Sequence, residues 1–295
     1  MRIATTIIIT LTTALAFSSS PLARPGAQPP QAAQGGRQGG GGGFKQPEPI
    51  DFNEHDGWTS LFDGKTLTGW SGDGNWRVAD GAITVESTCE KPTGTIYLVW
   101  KGGEAADFEL KLEMKGNGNI NGGVQYRGWI APKPPRRGGP GPQAGRAGQT
   151  GPCPSGAARG TPPSDESEAQ WNMWGAQYDF DAANRYTGQF YEQSTGRGIV
   201  AWKGQVVRTL PGDVRRLVAT LGDQASVDGI YKPNEWNQLH IIAIGNQMTH
   251  LLNGRVISVL IDEETHRVPK SGIIGLEVEA TGQLFARNIW LRKLQ

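Results

Sequence analysis

The chain has 295 residues, with 29 Lys and Arg against 28 Asp and Glu and a formal net charge of +1. So even a balance gives no electrostatic case for nucleic acid or an anionic membrane surface as partner. No P-loop or dinucleotide fingerprint is present, and no Cys/His spacing fits a zinc site, since the only cysteines are Cys89 and Cys153.

The predicted elements begin with an export signal. Arg2 supplies the positive charge, and Ile3 to Phe17 form an apolar, Thr/Ala-rich core too short to span a bilayer. Small residues at Ala14-Leu15-Ala16 and near Ala23 offer cleavage sites. Residues 1–23 therefore read as a signal peptide and the mature chain as periplasmic or secreted, without a membrane anchor. Residues 24–53, with the run Gly39 to Gly43, carry too little apolar surface to offset ordering entropy and read as a disordered linker.

One domain is expected over 54–295. It opens on GWTSLFDGKTLTGWSGDGNWRVADGAI, Gly57 to Ile83, where Asp63-Gly64 and Asp80-Gly81 signal tight turns between strands. In DFELKLEMK, Phe108, Leu110, Leu112 and Met114 alternate with Glu109, Lys111, Glu113 and Lys115, the period of a strand with one buried face. Glu109, Lys111 and Lys115 read as its solvated side. In NGGVQYRGW the alternation puts Gln125 and Arg127 on one face and Val124 and Tyr126 on the other. A low-complexity insertion follows at 131–168, read as a long and mostly disordered loop. Further strands come in WGAQYDFDA, in WNQLHIIAIGNQMTHLLNGRVISVLID with its Asn253-Gly254 hairpin signal, in IIGLEVE and in LFARNIWLRKL. No segment sustains a helical period, so the fold class is all-β, a sandwich or barrel of antiparallel strands. His55, His240, His250 and His266 stand singly and read as surface or turn residues. Export permits a Cys89–Cys153 disulfide, but the sequence leaves a bridge and two free thiols both open.

Chemistry on a curved sheet is expected on the concave face, lined by every second residue of several strands. The polar residues in such positions are Gln125 and Arg127; Gln177, Asp179 and Asp181; and Tyr191, Glu192, Gln193 and Arg197, with Glu113 as a further candidate and Trp174 as a wall. Polar groups set among aromatics describe a sugar site.

The order of these motifs resembles the 3-keto-disaccharide hydrolase family. The resemblance rests on the opening motif, NGGVQYR, then Gly175, Gln177 and Asp179, then Gly188, Tyr191, Glu192 and Arg197-Gly198, and the terminal FARNIWLRKL. It covers the whole domain apart from the insertion and departs from the family at Gln193, where a second acidic residue is expected. It implies a concanavalin A-like jelly-roll of two antiparallel sheets and a hydrolase of 3-keto-disaccharides or 3-keto-glycosides. A ketone at C3 acidifies the C2 hydrogen, so a base can remove it, the C1 substituent leaves, and water adds to the enone. That route needs a base, an acid and a group on the 3-oxygen. Asp179 and Glu192 are the expected base and acid, with Arg127, Arg197 and Tyr191 polarising the ketone or donating protons and Gln125, Gln177, Gln193, Glu113 and Trp174 binding the sugar. A divalent cation held by Asp179 and Glu192 would serve the same polarisation. The rival reading is a carbohydrate-binding module without catalysis.

Overall fold

The computed structural model describes residues 47–132, 171–264 and 269–294. The expected signal peptide and most of the linker and insertion lie outside them, as does Cys153; Cys89 is disulfide-bonded.

The described residues from Pro49 on form two sheets. The larger runs β12 (Val214–Thr220), β11 (Gln205–Leu210), β15 (Arg255–Asp262), β14 (Gln247–Leu252), β13 (Asn237–Ile244), β6 (Phe108–Gly116), β17 (Gly282–Lys293), β4 (Ala82–Ser87) and β3 (Arg77–Ala79), with β1 (Thr59–Ser60) beside β17. The smaller runs β10 (Gly198–Ala201), β9 (Phe190–Gln193), β8 (Met173–Asp181), β7 (Asn121–Ile130), β16 (Ile273–Glu279), β5 (Ile96–Trp100) and β2 (Trp70–Gly72). Neighbours pair antiparallel except β11 and β15, which are parallel. The fold is an all-β jelly-roll sandwich of the concanavalin A-like class. One five-residue helical turn, Gln224–Asp228, is capped by Asp223.

The alternation in β6 sets the core. Phe108, Leu110, Leu112 and Met114 are wholly buried between the sheets, and the Phe108 ring meets Tyr126 of β7 edge-on at 5.8 Å. Asp80-Gly81 and Asn253-Gly254 both take positive φ at both residues and close two-residue hairpins, as expected. Asp63-Gly64 does not; the Asp63 carboxylate instead accepts the Lys65 and Thr66 N–H groups and builds a local loop.

Two readings of polar residues are corrected by burial. Lys111 is buried, because the Asp51–Trp58 segment lies over the outer face of the larger sheet. Its ammonium donates to the Phe52 and Glu54 carbonyls and sits 4.2 Å from the Trp58 ring centre. Glu109 is buried with it, bonded to His240 and Arg292. Nor are all the histidines at the surface. His250 is wholly buried between the sheets, bonded to the Tyr126 hydroxyl at 2.7 Å, and burial pushes its pKa down to about 3.

Candidate active site

The outer face of the smaller sheet is built in rows. Val124, Tyr126, Ala176, Tyr178, Phe180, Phe190, Leu276 and Val278 point into the core, so the residues between them point outward. Cross-strand pairing then aligns Tyr191, Gln177, Gln125 and Gly275 in one row. The next row holds Asp179, Gly123, Glu277 and Tyr97, and beyond it Asn121 pairs with Glu279.

This face is concave. Gln193 on β9 and Tyr97 on β5 have three strands between them, a span of about 19 Å on a flat sheet at 4.7–4.9 Å per strand. Their side chains nevertheless meet, Gln193 Nε2 donating to the Tyr97 hydroxyl at 3.0 Å. Only a curled sheet brings them together. Glycine makes the floor. A Cβ on Gly123 would lie 2.2 Å from the Tyr178 carbonyl oxygen and 3.0 Å from Gln177 Nε2, and one on Gly275 would strike the Met173 sulfur. With Gly123 bare, Gln177 reaches across it and donates to Glu277 Oε2 at 2.8 Å. Tyr97, Val99 and Met173, with Trp171 and Ile273, form an apolar wall beside the polar rows.

The cleft is largely closed to water: Gln125 is 0 % exposed, Glu277 2 % and Asp179 6 %. Tyr191, Gln193 and Glu279 are half-buried and mark where solvent reaches it. Burial pushes the Asp179 carboxyl well above the usual carboxylate range, and the Glu279 and Asp181 charges add to the rise; the bond from Gln189 Nε2 opposes it. Burial and the nearby Glu277 likewise raise Tyr97, which keeps its phenol proton. Gln125 Oε1 and Gln189 Oε1 are buried acceptors without a partner among the described residues.

Of the residues picked from sequence, this face gathers Gln125, Gln177, Asp179, Tyr191 and Gln193. Trp174 stands at one end, its indole N–H on the Ala131 carbonyl and its ring 6.0 Å from Trp129. Four others lie elsewhere. Arg127 sits in a β-bulge with φ +48°, which turns its side chain off the face. Its guanidinium donates to the Ala106 and Gly245 carbonyls and to Asp107, and lines a cavity of about 280 Å³ with Met248, Asp262 and Lys270. Glu192 follows Tyr191 and so points the opposite way, between the sheets. There it joins Arg197, which also binds Asp262 and Asp213. Glu113 lies on the outer face of the larger sheet, bonded to Arg287 and Asn288. Asp179 and Glu192, facing opposite sides of one sheet, do not share a cation. Among the described residues no group of three or more His, Cys, Asp or Glu side chains is placed to hold a metal.

Tyr97, Asn121, Gln189, Glu277 and Glu279 also lie on this face, outside the set expected from sequence. The alternation in IIGLEVE, which sets Glu277 and Glu279 on the polar face, is the signal that finds two of them. Tyr97 lies in the apolar strand IYLVW and gave no signal.

The family described as the 3-keto-alpha-glucoside-1,2-lyase-like domain matches residues 57–292. A protein of Bacteroides thetaiotaomicron named 3-keto-disaccharide hydrolase is 36 % identical over 92 residues, 26 % of this chain and 29 % of the relative, so the match spans under a third of that protein's length. Among solved structures, the carbohydrate-binding module CBM66 of Bacillus subtilis aligns with a TM-score of 0.42 at 14 % identity, over 76 % of this chain and 96 % of the module. A Bacillus subtilis protein of unknown function with a galectin-like fold aligns with a TM-score of 0.42 at 12 % identity, over 77 % and 90 %. With most of the described sandwich inside the matched range, the chain belongs to the 3-keto-alpha-glucoside-1,2-lyase-like domain family.

Proposed function

We propose that this chain is an exported enzyme that cleaves 3-keto-glycosides, 3-keto-disaccharides among them, by C2 deprotonation, loss of the C1 substituent and addition of water. The carrying observation is Asp179. It is buried in a concave polar cleft, has one amide and no cation among its described partners, and is held toward its protonated form. A carboxyl kept neutral in this way is a proton donor to a leaving oxygen. Around it, the amides of Gln125, Gln177 and Gln193 and the hydroxyl of Tyr191 supply the directional hydrogen bonds a sugar needs, and the wall of Tyr97, Val99 and Met173 supplies apolar contact. Tyr191 is the candidate donor to the 3-oxygen. An incoming sugar takes over the bond that Gln193 and Tyr97 now make to each other. Family membership and the name of the Bacteroides relative support this substrate class, and the N-terminal residues 1–23 support export.

The test is release of free glucose from 3-keto-trehalose and from trehalose by the purified chain. Release from the keto sugar alone is expected. Absence of release, with calorimetric binding of either sugar, would replace the enzyme by a carbohydrate-binding module.

A further inference from the structure

We infer that Glu277 is the base that takes the C2 proton, working across Gly123 from Asp179, the acid for the leaving oxygen. This rests on the cleavage reading above.

The pairing register fixes the juxtaposition. Asp179 and Glu277 both pair with Gly123, one from each side, so their strands stand two spacings apart, about 9.5 Å between backbones. Both side chains point into the cleft, and the residue between them has none. A pyranose ring laid over Gly123 therefore has one carboxyl on each side. Glu192, the second carboxyl expected from sequence, is on the far side of the sheet; Glu277 fills the role it leaves empty.

Each carboxyl is buried and accepts a glutamine side-chain N–H. Glu277 Oε2 accepts an N–H from the Gln177 side-chain amide at 2.8 Å, a bond that reaches over Gly123 and holds the carboxyl above the floor of the cleft. At Asp179, burial and the Glu279 and Asp181 charges outweigh the bond from Gln189 and raise the pKa. Elimination requires one carboxyl that takes the C2 proton and one that gives a proton to the leaving oxygen, and the raised Asp179 carboxyl suits the second role. Independent evidence that the cleft takes a ligand comes from the amide oxygens of Gln125 and Gln189. Both residues are at least 98 % buried, lie on this face, and have an acceptor without a partner among the described residues. A buried acceptor without a donor is rare enough to need an explanation, and sugar hydroxyls supply donors.

In the forward half-reaction, Glu277 carboxylate takes the C2 proton and the C–H electrons move into the C1–C2 bond by way of the enolate. The C1–O bond breaks, and its oxygen leaves with the electron pair and the Asp179 proton. In the return, Asp179 carboxylate takes a proton from water as the water oxygen bonds to C1, and Glu277 gives its proton back to C2. Both carboxyls end as they began, and the net change is hydrolysis.

The experiment follows 3-keto-trehalose in D₂O with the full chain, reading deuterium at C2 by NMR and free glucose in the same sample. The Asp179→Asn variant is expected to lose glucose release by about 10²–10⁴-fold and still to deuterate C2, because its base is intact. Glu277→Gln is expected to lose both by that factor, with an unchanged thermal melt. C2 deuteration by Glu277→Gln at the wild-type rate overturns the assignment, even where Asp179→Asn is inactive. If Glu277→Gln does not fold, Glu277→Asp decides: a base drawn back by one methylene slows C2 deuteration about tenfold or more, and an unchanged rate overturns the inference. Wild type that neither deuterates C2 nor releases glucose overturns the cleavage reading itself.

Discussion

Tyr191 and Glu192 are neighbours on one strand and serve two different buried polar regions. Glu192 points between the sheets into a network where every group has partners. Arg197 Nη1 binds Glu192 and, at 2.8 Å, Asp262, and its Nε binds Asp213 at 3.0 Å. Arg215 closes on Asp213 and on the carbonyls of Arg197 and Ile199, while Thr195 and Thr209 bond Glu192 and Asp262. Tyr191 points into the cleft, where Asp179 has one amide and two glutamine oxygens have no partner among the described residues. Both regions are rich in charge and deeply buried, so neither burial nor charge tells them apart. Completeness does. A saturated network joins β9, β11 and β15 and holds the two sheets together at that end, whereas unsatisfied acceptors beside a carboxyl that burial drives toward its protonated form cost stability and fit a site awaiting a ligand.

Substitutions break the two regions in opposite ways. Arg197→Met leaves Glu192 and Asp262 buried without their cation and is expected to lower unfolding free energy by about 3–5 kcal/mol, read from urea midpoints. Glu192→Gln keeps the shape and removes one charged partner, so a smaller loss of about 2 kcal/mol is expected in the same titration. Asp179→Asn moves the other way. A carboxyl whose folded pKa is raised above its unfolded value binds protons more tightly in the fold, so its contribution falls as pH rises from about 4 toward the folded pKa. Removing that ionisation is expected to leave the neutral-pH melt unchanged or higher, and a clear drop in melting temperature would contradict the assignment.

A further prediction concerns a control outside both regions. His250 has its folded pKa lowered to about 3 from 6.5, so the unfolded chain takes up the proton first. Its contribution is complete above pH 6.5 and is lost as pH falls toward 3. His250→Gln is expected to flatten the stability profile between those values, read from melts at stepped pH. The profile around Asp179 slopes the opposite way.

Much of this was legible in the chain because it follows from period and turn chemistry. The alternation in Phe108 to Met114 placed the core, Asn253-Gly254 placed a hairpin, and Gln177 and Asp179 fell on the expected face. The errors have local causes. Arg127 obeyed the alternation until a bulge with positive φ turned it away, and a bulge leaves no mark on a two-residue period. Glu192 shares the polar chemistry of Tyr191 but not its side, since adjacent strand residues face opposite faces of the sheet. Lys111 and Glu109 looked solvated because a segment more than fifty residues upstream covers them. The contact between Gln193 and Tyr97 depends on curvature across five strands, which no single strand encodes.

On the proposed function, catalysis belongs to the concave face and structure to the Arg197 network. The most direct measurement is kcat/KM on 3-keto-trehalose for Asp179→Asn and Glu192→Gln, side by side, at a temperature where both remain folded. A fall of about 10²–10⁴-fold is expected in the first and a change within about threefold in the second. A Glu192→Gln variant as inactive as that, beside an Asp179→Asn variant with wild-type turnover, would place the chemistry on the other side of the sheet and contradict the assignment of Asp179.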